Sequence, residues 1–304
     1  MFQNLFYFLL AIFIYLICSF LSKRLPPGII IPIDYPGERK IHKTPTPCPG
    51  GIFIFFSFYI SLIITFSLYP NIFFKDWPGY TYTSFIFCGM GISILGLWDD
   101  HKDIKSFVKL VFQICICSIA VMAGIKFKIV DLEILNIILS LFWFLIFING
   151  MNLIDGIDGL ASGITFIVTI FLLFHEGFEF TPLASILSGA VLIFFIFNLS
   201  KEIFLGNSGS MLLGFLLAAI SIFISNKGEK TDVLAITILC FGVPVFDIIA
   251  AIIRRTKEGR SIFMGDGRHI HHYLLKKGFP NTMVLLFLLG STFILGCISL
   301  FIFK

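Results

Sequence analysis

The chain has 304 residues, of which 58% are hydrophobic and only 13% charged, with 39 phenylalanines and a mean hydropathy of +0.99. A soluble domain carries about 25% charged residues, so a deficit running along the whole length makes lipid the solvent and excludes a soluble fold. The formal net charge of +4 does not indicate nucleic acid, because no basic stripe with interleaved aromatics occurs in a polar segment.

Ten apolar runs, at about 2–21, 50–69, 81–98, 107–123, 132–149, 160–174, 182–199, 209–225, 233–252 and 283–303, are expected to be helices. In hydrocarbon every backbone group must be satisfied within the segment, and a spanning helix needs roughly 17–25 residues; the sixth run is short. The first run lacks preceding basic residues and exceeds a signal-peptide core, so it reads as a retained span. After it, prolines at 26, 27, 36, 45, 47 and 49 rule out a helix and favour a stiff extended segment. That segment presents Arg39, Lys40, His42 and Lys43, which serve either membrane orientation or a substrate.

The second run leads to Trp77 and Tyr80, which read as interface anchors. The third ends in W-D-D-H-K-D, placing Asp99 and Asp100 side by side with Asp103 one turn on. Two adjacent carboxylates raise one another's pKa unless a cation intervenes, so a divalent metal or a basic partner is expected there. Lys109 and Gln113 open the fourth run at helical spacing; the lysine either snorkels or pairs with an acid or a phosphate.

N-G-M-N-L-I-D-G-I-D-G, residues 149–159, follows the fifth run. It sets Asn149, Asn152, Asp155 and Asp158 at intervals of three, and polar groups at membrane depth are costly unless they face protein, water or ligand. Gly150, Gly156 and Gly159 make a long regular helix unexpected, favouring a broken helix or a tight turn opening into one. Asn198 closes the seventh run. L-G-N-S-G-S then brings Gly206, Ser208, Gly209 and Ser210 to the start of the eighth, either as phosphate donors at a helix N-terminus or as a simple cap. The ninth run carries P-V-F-D, with Pro244 expected to kink it and Asp247 near its end. The loop beyond holds Asp266, Arg268, His269, His271 and His272. H-x-H-H without a nearby cysteine is not a usual zinc spacing, so imidazoles hydrogen-bonding a diphosphate fit better.

With ten spans, loops at about 22–49, 99–106, 150–159, 200–208 and 253–282 share one side. They carry 16 of the 22 Lys and Arg residues, counting Lys109 just inside the fourth span. That side should be cytoplasmic, with both termini outside.

Taken together, W-D-D at 98–100, N-x-x-N-x-x-D-G-I-D-G-L at 149–160, F-L-G-N-S-G-S at 204–210 and H-I-H-H at 269–272 resemble the polyprenyl-phosphate N-acetylhexosamine-1-phosphate transferases of glycosyltransferase family 4, as do R-K-I-H-K-T-P-T-P and P-V-F-D. The resemblance implies an all-α integral membrane protein of about ten transmembrane helices, one polytopic domain over 1–304 with cytoplasmic active-site loops, in the bacterial inner membrane. It implies transfer of a sugar-1-phosphate from a UDP-sugar to polyprenyl phosphate, with undecaprenyl phosphate the expected acceptor, releasing UMP with magnesium (or manganese) as cofactor. R-H-I-H-H-Y-L looks more like the branch that starts O-antigen, teichoic acid or related glycans, making UDP-N-acetylglucosamine the first donor. UDP-N-acetylfucosamine, UDP-N-acetylquinovosamine and the muramyl-pentapeptide precursor are the alternatives, and a second copy of the chain is a candidate partner.

The resemblance also distributes roles. Asp99, Asp100, Asp155 and Asp158 are the expected catalytic acids, and Asp99, Asp100 and Asn207 the expected metal ligands. Lys43, Lys109, Asn149, Asn152, Asn198, Gly206, Ser208, Arg268, His269, His271 and His272 are the expected substrate-binding residues. The family usually has Asp where this chain has Asn207; a carboxamide oxygen still coordinates magnesium but brings no charge. The rival readings are a transporter with ion-binding broken helices and a lipid-binding protein without catalysis. Against the first, the polar groups gather at span ends and the two halves show no repeat.

Overall fold

The structure is a computed structural model and describes residues 2–24, 33–34, 46–70, 78–102, 104–175, 182–228, 232–260 and 268–303. Among these it has twelve helices: α1 (Phe2–Ser22), α2 (Gly50–Leu68), α3 (Gly79–Lys102), α4 (Ser106–Met122), α5 (Glu133–Ile154), α6 (Leu160–His175), α7 (Pro182–Leu199), α8 (Gly206–Gly228), α9 (Asp232–Cys240), α10 (Gly242–Lys257), α11 (Ile270–Lys276) and α12 (Asn281–Ile302). The only described strands are β1 (Ile33–Asp34) and β2 (Thr46–Pro47), an antiparallel pair in which Ile33 faces Pro47. The ten apolar runs all fall on helices, the ninth on α9 and α10 together. Seven helices (α1, α2, α3, α5, α7, α8 and α12) are long and apolar enough to cross a bilayer, and α9–α10 makes an eighth if counted as one bent span. α4 and α6 are apolar but shorter.

α8 is the axis of the bundle. Its apolar stretch is entirely buried, against 17% for α1 and 28% for α12, and α2, α3, α5, α6 and α9 all pack on it. The outer helices turn Phe2, Phe13 and Phe20 of α1 and Leu286, Phe287 and Phe301 of α12 outward. Where hydrocarbon surrounds the protein such exposure costs nothing, so close packing rather than apolarity selects the neighbours. At the N-terminus of α8 the approach is especially tight. A Cβ on Gly96 would lie 2.4 Å from Ser208 Cα, and one on Gly51 2.3 Å from the Gly209 nitrogen. The first amides of α2, Gly50 and Gly51, donate to the carbonyls of Phe204 and Leu205, both at 3.0 Å. The start of α8 is therefore wedged between α2 and α3.

Several local expectations are corrected. α5 runs unbroken through Gly150 to Ile154. The missing Cβ of Gly150 instead admits Phe241 and Ile248 from the α9–α10 corner, and the polar turn shrinks from 150–159 to 155–159. Gly206 to Ser208 are the first turn of α8 rather than loop, and α10 reaches Lys257 before the last polar segment begins. The bend of the ninth run is a 70° corner between α9 and α10, one residue wide at Phe241. Pro244 sits in the first turn of α10 and has no N–H for the Cys240 carbonyl, so the ladder cannot continue across the corner. Phe241 is held by stacking on Phe147, ring centroids 4.1 Å apart.

Candidate active site

The polar motifs meet at one end of the bundle. α5 ends at Asp155, whose N–H still reaches the Met151 carbonyl at 3.2 Å. The chain then turns through Gly159 at φ +83° into α6. Asn198 at the end of α7 fastens this turn: its Oδ1 accepts from the Gly159 N–H at 2.6 Å and its Nδ2 donates to the Ile203 carbonyl at 2.9 Å. One amide thus ties the α5–α6 turn to the α7–α8 turn. Ser210 on α8 donates to Asn152 Oδ1 at 3.1 Å, bringing the two motifs together one turn deeper.

Asp99 and Asp100 go to different elements. Asp99 is buried; Oδ1 accepts from the Ile104 N–H at 2.9 Å, and Oδ2 pairs with Lys109 Nζ. Of the two partners expected for this lysine, an acid is the one found. Asp100 accepts from the backbone N–H groups of Asn207 at 2.8 Å and Ser208 at 3.2 Å. Anionic caps at a helix start satisfy orphan donors and complement the dipole, and such caps contribute about 1 kcal/mol. Gly206, at φ +73°, leaves room for the Asp100 carboxylate, 2.9 Å from where its Cβ would be.

Asp155 is half-buried and lies within electrostatic reach of Asp100 and Asp158; desolvation first, and then the charges of Asp100 and Asp158, push its carboxyl up to about 8. Opposite stands the imidazole cluster. The ring of His271 rests on Gly156, with Nε2 2.1 Å from the position a Cβ would take. His271 lies 4.2 Å from His272 and 6.0 Å from His269, ring centre to ring centre. Burial, then His272 and His269, bring His271 down to about 3. His272 is lowered by burial and by His269 and Lys276. At neutral pH both rings are uncharged, and among the described residues neither nitrogen of His271 has a hydrogen-bond partner.

Asp99, Asp100, Asp155, Asp158, Asn152, Gly206, Asn207, Ser208 and His271 therefore gather at one place. Asn149 does not point there: its Nδ2 donates to Gln113 Oε1 at 2.9 Å and to the Leu145 carbonyl at 2.8 Å, inside the α4–α5 contact. Arg268 stands at the rim in a two-pronged pair with Glu258 at 2.7 and 2.6 Å, which holds the glutamate below the usual carboxylate range. Lys43 lies outside the described residues. The site also includes Asp247, bonded to His269 and to the Ile270 N–H, both at 2.8 Å. The sequence alone assigns Asp247 no role; its signal is a carboxylate inside an otherwise apolar run.

The donor set of the acid cluster is all oxygen, with Asp155 set against the carboxylates of Asp100 and Asp158. A hard divalent cation fits such a set. Among the described residues no three acid, imidazole or thiol side chains form a ready-made cage. Magnesium does not require one, since it normally keeps waters and uses one or two carboxylates with substrate phosphates.

A bundle of apolar helices with an acid and imidazole cluster at one end defines a class, the polytopic membrane protein with a polar site at the end of its spans. Residues 82–225 match Glycosyl transferase family 4. The chain is 30% identical over 293 residues to a decaprenyl-phosphate N-acetylglucosaminephosphotransferase of Mycobacterium tuberculosis, covering 84% of this chain and 71% of the relative. It is 28% identical over 284 residues to a Bacillus subtilis protein described as a probable undecaprenyl-phosphate N-acetylglucosaminyl 1-phosphate transferase, covering 88% and 77%. An undecaprenyl-phosphate alpha-N-acetylglucosaminyl 1-phosphate transferase of Escherichia coli is 27% identical over 270 residues, covering 82% and 70%. The chain belongs to glycosyl transferase family 4 and is a membrane phosphoglycosyltransferase. The transporter reading gives way to that membership.

Proposed function

We propose that the protein transfers N-acetylhexosamine-1-phosphate from a UDP-sugar to polyprenyl phosphate, with UDP-N-acetylglucosamine as first donor and undecaprenyl phosphate as acceptor. The observation that carries this reading is the meeting of Asp100, Asp155 and Asp158 with His271 at the end of an apolar bundle. The names of the relatives support the acceptor class and the transferred group. In the reaction an oxygen of the lipid phosphate attacks the sugar-bearing phosphorus. A new P–O–P bond forms, the old one breaks, and UMP leaves with the bridging oxygen.

Both partners are anionic, so charge neutralisation should dominate the barrier. Asp100, Asp155 and the Asn207 carboxamide are the proposed holders of magnesium, which when bound would supply positive charge to the diphosphate. Asp99, paired with Lys109, is the proposed acceptor of the lipid phosphate's proton. Asp158 and Asn152 would orient the donor, and the neutral imidazoles of His271 and His272 would hydrogen-bond its phosphates. Gly206 and Ser208 act through the α8 start that Asp100 caps, and Asn198 through the turn it ties. The pairing of Asn149 with Gln113 supports a part in holding α4 on α5 rather than contact with the sugar.

In this reading all ten apolar segments cross the bacterial inner membrane as one polytopic domain. The site faces the cytoplasm, both termini lie outside, and the product starts an O-antigen, teichoic acid or related glycan. The test is a donor screen with the purified protein, undecaprenyl phosphate and magnesium, the lipid product read by mass. UDP-N-acetylglucosamine should give lipid-linked N-acetylglucosamine with stoichiometric UMP. A product mass for UDP-N-acetylfucosamine, UDP-N-acetylquinovosamine or the muramyl-pentapeptide donor alone would replace the sugar, and UMP release without any lipid product would overturn the reaction.

A further inference from the structure

Asp247 lies one turn into α10 and is 2% exposed, while its chain neighbours Phe246 and Ile249 face outward. A carboxylate this deeply buried must be partnered, and both partners come from a segment more than twenty residues on. Oδ2 meets His269 Nδ1 at 2.8 Å, and Oδ1 accepts the Ile270 N–H at 2.8 Å. His269 is the N-cap of α11 and makes no side-chain cap bond of its own. Asp247 takes that place from another helix and sets where α11 begins. The residue next after Ile270 is His271, whose ring sits on Gly156 beside Asp155. One carboxylate therefore governs two rings: it holds the first directly and sets the helical start that carries the second to the acid turn.

We propose that Asp247 is the positioning residue of the imidazole cluster: it fixes the proton of His269 on Nδ1, so that Nε2 is the nitrogen turned to the donor diphosphate, and it anchors the start of α11 so that His271 reaches the acid turn. This rests on the sugar-phosphate transfer reading above. The chemistry follows from the donor inventory. A ring whose Nδ1–H is donated to a carboxylate has its Nε2 tautomer decided, and orientation through the second nitrogen is how imidazoles are aimed elsewhere. Asp247 touches neither substrate, so its effect must pass through His269 and α11.

The experiment uses the full chain with UDP-N-acetylglucosamine and undecaprenyl phosphate, comparing Asp247→Asn, His269→Asn and the double variant. Asparagine can still accept the Ile270 N–H, but it offers an N–H to Nδ1 and forces the other tautomer. Asp247→Asn is expected to lower kcat about 100-fold while the donor KM stays within about threefold, the signature of orientation rather than uniform binding. The double variant should be no slower than the slower single one, since the two residues act as one unit. Nitrogen NMR of histidine-labelled protein, with the His269 signals identified by their loss in His269→Asn, should show the proton on Nδ1 in the wild type and not in Asp247→Asn. Unchanged kcat in Asp247→Asn, losses that multiply in the double variant, or an Nδ1 without a proton in the wild type would each overturn the proposal. A wild type that transfers no sugar phosphate from any UDP donor overturns the functional reading instead, and the NMR result still decides the Asp247–His269 pairing.

Discussion

Asp99 and Asp100 are adjacent in sequence but held by different elements, the first by Lys109 and the second by the start of α8. Lys109 and Asp99 form a largely buried pair; removing one partner of such a pair costs about 3–5 kcal/mol. Asp99→Asn, Asp100→Asn and Asp158→Asn should each lower transfer by about 100-fold or more while the folded protein remains extractable. Full activity in any one, measured as lipid product, would remove that residue from the site. At position 207, restoring the carboxylate adds a charged ligand, so Asn207→Asp should reach half-maximal rate at roughly tenfold lower magnesium; an unchanged magnesium titration would show that the side chain is not a ligand here. His271 supplies a pH test. Its folded pKa lies near 3, below the ordinary 6.5, so between those values the unfolded chain binds more protons than the native one. Stability should therefore rise with pH across that window and be lost as pH falls from about 6.5. His271→Gln should flatten the decline in thermal midpoint between pH 7 and pH 4, read in detergent with a chelator present.

Among the elements, α8 decides whether the site exists, because its first turn is both the cap for Asp100 and the wedge between α2 and α3. The tightest test is Gly96→Ala. The new Cβ would stand 2.4 Å from Ser208 Cα and 2.6 Å from the Asn207 carbonyl, backbone atoms that cannot swing aside. Overpacking of this kind costs about 1–3 kcal/mol, and it should also displace the Asn207 and Ser208 amides from Asp100. Both the thermal midpoint and the transfer rate are expected to fall. Retention of both would show that α3 and α8 are not in register as described. The α9–α10 corner works in the opposite sense, by breaking a helix. It turns α10 away from its span and sets Asp247 where α11 can reach it. A straight ninth helix offers no such meeting.

For the molecule as a whole, the uneven spread of basic residues sets the orientation test. A reporter active only in the cytoplasm should stay silent when fused after Lys304 and report when placed in the 253–282 segment; activity at the Lys304 end would reverse the proposed topology. The apolar runs determined their helices from sequence alone, because hydrocarbon allows an uncovered backbone no alternative. The ordered motifs W-D-D, N-x-x-N-x-x-D and H-I-H-H pointed to the family by themselves. The tertiary structure decided what each polar side chain does. Asn149 and Asn152 share one spacing in the chain, yet the first turns into α4 to meet Gln113 and the second faces Ser210 of α8. Gly150, which looked like a helix breaker, lies within an unbroken α5 because Phe241 fills the space beside it. Asp247 has no partner within its own helix, and its role depends on a histidine 22 residues away. Local sequence sets backbone form through solvation and sterics, but a buried charge or amide is assigned by whichever distant element packing brings within hydrogen-bond reach.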